Sequence, residues 1–134
     1  YVRLLVSFQL PTLPTGAAVE RVLLTGSQDS VSGSPYTKLG VVKAQHVTFM
    51  TFDSAAFGGA PLVTAGDFSA NATVEQKSLD VTGSVADDYT NAGPRAGRSQ
   101  YRLEFPTGTN NDGVRDMVYF SRLGFSLTLT YHVE

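Results

Sequence analysis

Two histidines, a few grouped carboxylates and one arginine cluster are the side chains of this chain that offer chemistry. His46 and His132 both fall within stretches of alternating residues. A general base needs a nucleophile within reach and a carboxylate to orient it, and neither histidine has those neighbours along the chain. His46 reads as a satisfied or half-exposed strand residue, and His132, beside Thr130, as a solvated one. Asp87 with Asp88, and Asp112 with Asn110 and Asn111, offer oxygen atoms. Calcium takes about six to eight oxygens from a loop of characteristic spacing, which neither place shows. Tight turns require the same residue types, so both groups are expected to be turns. Arg95, Arg98 and Arg102, among Gly93, Pro94 and Gly97, have the forks that suit phosphate or an acidic neighbour. A solvated loop is expected there.

No glycine-rich phosphate cradle, nucleophile elbow or zinc-ligand spacing occurs. Cysteine is absent, which excludes disulfides, thiolate metal sites and a cysteine nucleophile. Asn71, Ala72 and Thr73 form a glycosylation triplet that matters only on a secretory route. The residues therefore assign no catalytic, cofactor or metal site, leave the binding residues undefined, and point away from an enzyme.

What remains is the scaffold. A chain of 134 residues fits one domain, residues 1–134, and buries enough surface for a core without staples. Ten basic against twelve acidic residues give a net charge of −2, which argues against a strongly basic nucleic-acid binder or a polybasic membrane-surface protein. The charged fraction is only 16%, a balance that suits an extracellular or shell-forming β protein. No run of about 18 apolar residues marks a membrane-spanning helix. The chain opens on Tyr1 rather than Met, so an initiator or upstream segment is expected to have been removed.

Alternation is the dominant pattern. Val2, Leu4, Val6, Phe8 and Leu10 share one face of an opening strand, with Arg3, Ser7 and Gln9 opposite. A second strand is predicted over 19–25, a loop over 26–40, an extended stretch over 41–52, and two weaker strands over 70–77 and 79–85. Tyr101, Leu103 and Phe105 alternate with Gln100, Arg102 and Glu104, which predicts a strand with a polar outer face. Residues 114–123 read as strand or irregular structure. Phe125, Leu127, Leu129, Tyr131 and Val133 alternate without a fault to the end. About seven to nine strands with no helix long enough for a βαβ unit predict an all-β, two-sheet antiparallel sandwich, jelly-roll-like.

The opening strand 2–10, the Pro and Thr loop 11–16, the strand 19–25 and the loop with Gln28 and Asp29 resemble consecutive strands of small icosahedral virus coat proteins of the single jelly-roll type. Residues 101–105, a polar loop and 124–133 resemble the last two strands of that fold. This resemblance implies a shell subunit, in a virion, that contacts copies of itself through strand edges and loops. Such coat proteins usually carry a basic arm, which this chain lacks, so nucleic acid is a weak partner at most. Residues 6–11, Gly16 and 19–26 are also similar to the first hairpin of fimbrillin-like domains of bacterial pili, which implies strand donation at a cell surface.

Both resemblances lead to the same physics. An edge strand presents unpaired N–H and C=O groups that charged residues would blunt, and the first and last strands carry few charges, Arg3 and Glu134. Tyr1, Tyr36 and Tyr89 are candidate contact anchors or scattered surface residues. A monomeric carbohydrate-binding module ranks lower, because sugar stacking favours tryptophan and the chain has none.

Overall fold

The computed structural model describes residues 2–134, so Tyr1 lies outside the described residues. In chain order the elements are β1 (Leu4–Gln9), β2 (Ala17–Ser32), α1 (Pro35–Lys38), β3 (Val42–Val47), α2 (Ser54–Gly58), β4 (Val63–Ser69), β5 (Gln76–Asp80), α3 (Thr82–Thr90), β6 (Arg98–Glu104), β7 (Met117–Phe120) and β8 (Ser126–Val133). Every strand pair is antiparallel, and the eight strands form two sheets of four. The expected all-β sandwich is the fold observed.

The first sheet runs β1-β6-β3-β4. The second is built around β2, whose 16 residues serve three partners. One edge of β2 pairs with β5 over 23–27; the other pairs with β8 over 17–25 and then with β7 over 28–32. Two extra residues on β2, Glu20 and Asp29, interrupt these ladders as bulges.

Residues 26–32 therefore continue a strand where a loop is expected, and α1 follows. Gly26 makes the continuation possible. A Cβ there would stand 2.6 Å from the ring of Phe125, so the missing side chain is the space the ring fills. A second correction concerns 70–85. Neither predicted strand forms as drawn: β4 ends at Ser69, β5 covers Gln76–Asp80, and α3 starts at Thr82. Asp80 starts the helix by accepting from the amide and hydroxyl of Thr82, at 2.9 and 2.6 Å. Val81, Val85 and Asp88 then turn inward at helical spacing. The third extended stretch is also shorter than expected, since β3 stops at Val47.

Both sheets and α3 feed one core of Val22, Leu24, Val42, Ala44, Phe68, Val81, Val85, Tyr101 and Leu103. Phe68, Phe120 and Phe125 pack ring against ring beside it, with centroids 5.6 to 6.1 Å apart. We predict that Leu24→Ala, at a fully buried site, costs about 2–5 kcal/mol in urea unfolding. Leu123→Ala, at a site exposed to solvent, should change stability by no more than about 0.5 kcal/mol.

Candidate functional site

The two sides of the sandwich are unlike. On one side β4 and β5 meet, with the Leu79 side chain against Gly66, where an added Cβ would fall 3.0 Å from a Leu79 methyl. On the other side β1 faces β7 and β8 across a gap. Near its start β1 faces β7 over a groove of about 690 Å³, and near its end a smaller groove of about 250 Å³ separates Phe8, Leu10 and Pro11 from Leu127, Leu129 and Tyr131. Period-two alternation builds this lining: Phe8 and Leu10 on one border, Leu127 and Leu129 on the other, are only partly buried against the core.

The larger groove has an apolar floor of Leu39, Val42, Leu103, Phe105, Val118 and Phe120, with Val2, Leu4 and Tyr119 also lining it. Its polar side is the 107–116 loop. Lys38 of α1 holds that loop through Asp112 at 2.7 Å and Asp116 at 3.8 Å, and Asp116 also accepts from the Ser34 amide. The Lys38 hydrogen bond, followed by the Val114 amide, holds the Asp112 carboxyl down to about 2. Asp112 thus sits in a turn, as expected, but a lysine rather than a metal neutralises it.

The titratable residues gather elsewhere. His46 points into the sandwich from β3, and its Nε2 lies 2.8 Å from both carboxylate oxygens of Asp88 on α3. Both side chains are 1% exposed. Arg95 donates to Asp87 and Asp88, at 2.8 Å each, from a turn that the left-handed Ala96 and Gly97 complete. Asp87 and Asp88 are therefore helical residues bound to an arginine and a histidine, not members of a solvated turn. The ligand atoms of His46, Asp87 and Asp88 lie within 4.8 Å of one another. Arg95 already supplies the cation between the two carboxylates, so the set does not fit a resident metal ion.

Half of a catalytic arrangement is present here, since His46 meets an acid. Its only hydrogen-bonded side chain among the described residues is Asp88, however, and none of His46, Asp88 and Arg95 lines either groove. Tyr101 stacks near His46 with centroids 5.6 Å apart, and burial pushes its phenol well above the usual range, so it stays protonated and bonded to Ser99. The network fastens α3 to the first sheet. His132 stands where expected, exposed at the end of β8, with its Nδ1 2.8 Å from Glu20.

The expected arginine cluster is dispersed. Arg98 is exposed, Arg95 serves the network, and Arg102 is buried under residues 48–62. The polar outer face predicted for β6 is buried with it: Gln100 and Arg102 lie beneath that segment, and Glu104 is buried in ion pairs with Arg3 and Arg102. Of the tyrosines proposed as anchors, Tyr36 and Tyr89 are half-buried, bonded to Gln28 and to the Pro11 carbonyl. Asn71 is exposed in the β4–β5 loop.

No family model, curated protein or solved structure matches this chain. Its site must be read from its own geometry. Helical spacing at 81, 85 and 88 was the overlooked signal for the helix that carries Asp88; the groove had no comparable signal, because its walls lie far apart in sequence.

We predict that Asp88→Ala, which leaves His46 without its partner in the interior and Arg95 with Asp87 alone, costs about 3–5 kcal/mol in chemical denaturation. The pH response of the groove wall follows from Asp112, whose folded pKa lies below an unfolded value of about 3.9. Its contribution is fully present above that value and is lost as pH falls through about 2. Hydrogen-exchange protection of the Val114 amide should drop across that window, and Asp112→Asn should abolish the pH dependence.

Proposed function

We propose that this chain is a non-enzymatic β-sandwich subunit that associates with copies of itself through the open border formed by β1 with β7 and β8. The supporting observation is the contrast between borders. On the closed side, β4 carries two extra residues, Ala65 and Phe68, and an ion pair of Asp67 with Lys43, while β5 carries Lys77 and Asp80. These are devices that blunt an edge. On the open side, β1 and β7 contain no charged residue, and β8 has no carboxylate, lysine or arginine. An edge left unblunted beside an apolar gap is suited to pairing with another strand.

The coat-protein resemblance gives this reading its concrete form, a shell subunit of a virion; the fimbrillin resemblance gives a surface filament. Light scattering on the purified chain separates closed shells from open polymers. Leu4 and Tyr131 line the two grooves, and an inward-pointing charge there blunts the edge. We predict that Leu4→Lys with Tyr131→Lys abolishes association, with a stability change of about 1 kcal/mol or less because both sites are partly exposed. A wild-type chain that stays monomeric at high concentration would remove the proposal.

One observation favours a second reading, a carbohydrate-binding module. Tyr119 is exposed in the lining of the larger groove, which also contains Asn110, Thr107 and Asp116, and the volume of about 690 Å³ is that of a ligand site. Glycan-array binding by a monomer, lost in Tyr119→Ala, would place this reading first.

A further inference from the structure

Residues 48–62, between β3 and β4, are folded inside out. Three of their main-chain carbonyls turn toward the sheet, where buried polar side chains hold them. Gln100 Nε2 donates to the Phe49 carbonyl at 3.0 Å, and Arg102 donates to those of Ala56 and Gly59 at 3.2 and 2.8 Å. The carbonyl of Phe57 takes a hydrogen bond from Arg3, whose guanidinium also lies over the Phe57 ring. Leu62 closes the segment by donating its amide to the His46 carbonyl at 2.8 Å.

With the polar backbone facing in, apolar side chains face water. Met50 is 80% exposed and Phe52 78%, and the Phe52 ring rests on that of Phe49 with centroids 5.4 Å apart. The one charged residue of the segment, Asp53, is turned back on its own helix: its carboxylate accepts from the Ala56 amide and the Thr51 hydroxyl, at 2.9 Å each. The result is a braced apolar projection whose one charge, the exposed Asp53 carboxylate, is held by these local hydrogen bonds. Exposed apolar groups held in place this way mark contact sites.

The same molecule carries a matching recess. The larger groove is apolar at its floor and roomy enough for an aromatic side chain, and neither Met50 nor Phe52 lines either groove of its own chain. Resting on the self-association proposed above, we propose that the Met50 and Phe52 projection of one copy seats in the β1–β7 groove of the next. Such a contact joins two different surfaces. Repeated, it closes reciprocally into a dimer, closes into a larger ring, or runs on as a filament.

Two variants test the pairing by complementation. Met50→Ser with Phe52→Ser removes the projection at exposed positions and leaves the groove intact; Leu4→Lys obstructs the groove and leaves the projection intact. In sedimentation velocity each variant alone should remain a monomer at concentrations where wild type associates, and an equimolar mixture should form a one-to-one dimer and nothing larger. If the double-serine variant associates as wild type does, the projection is not the contact, and this inference falls while association through the border stands. If neither single variant associates and the mixture forms no dimer, the contact joins like surfaces and the inference again falls. Association of Leu4→Lys equal to wild type would overturn this inference, and association of Leu4→Lys with Tyr131→Lys equal to wild type would overturn both readings. So would a wild-type monomer that floats with phosphatidylcholine vesicles and loses that property in the double-serine variant, because the partner would then be a bilayer.

Discussion

The main-chain hydrogen bonding of β2 is the constraint from which the rest of the structure follows. Every buried N–H and C=O must find a partner, and β2 satisfies its groups with β5 along one edge and with β8 and then β7 along the other. That allocation places β5 where it can meet β4, and it places β7 and β8 opposite β1. One border of the sandwich closes as a result, and the other stays open.

Two sets of buried polar groups on the first sheet have different tasks. His46, Asp88 and Arg95 tie a helix to the core face of the first sheet. Gln45, Gln100, Arg102 and Glu104 form a second layer on its outer face, where Arg102 is satisfied by the Gln45 side chain and two main-chain carbonyls. Among the described residues no fully buried side-chain nitrogen or oxygen lacks a partner. A buried charge whose hydrogen bonds are complete favours one arrangement over its neighbours. Both sets therefore act as positioning devices, one for α3 and one for the segment that displays Met50 and Phe52.

Period-two alternation made the sandwich legible before any coordinates. It located β1, β6 and β8 because each has one face on the core, and β8 divides as read up to Thr130, with Leu127 and Leu129 half-buried against exposed Ser126, Thr128 and Thr130, while Tyr131 and Val133, read onto the packed face, are exposed. Alternation fails where both faces of a strand are covered. Gln100 and Arg102 look like a wet face, and only a distant segment folding over them buries them. It fails again where glycine is chosen for what lies against it, as at Gly26 beneath Phe125. The His46 and Asp88 contact joins residues 42 positions apart, which no local spacing can reveal. The open border was half legible: the low charge of the first and last strands was visible, but that they flank one gap was not.

The pairing of Ala17 with Val133 has a consequence for how the chain reaches its fold. Most of the partner for one side of β2 is synthesised long after it, so the nascent chain carries a long half-satisfied strand until β8 emerges. Contacts this distant along the chain slow folding, because loop closure must precede the reward of pairing. Unpaired strand borders in such an intermediate also invite association with other chains. The late pairing of β2 therefore makes maturation sensitive to association with other chains, and holding β2 apart from its neighbours until β8 is available would be a task suited to a chaperone.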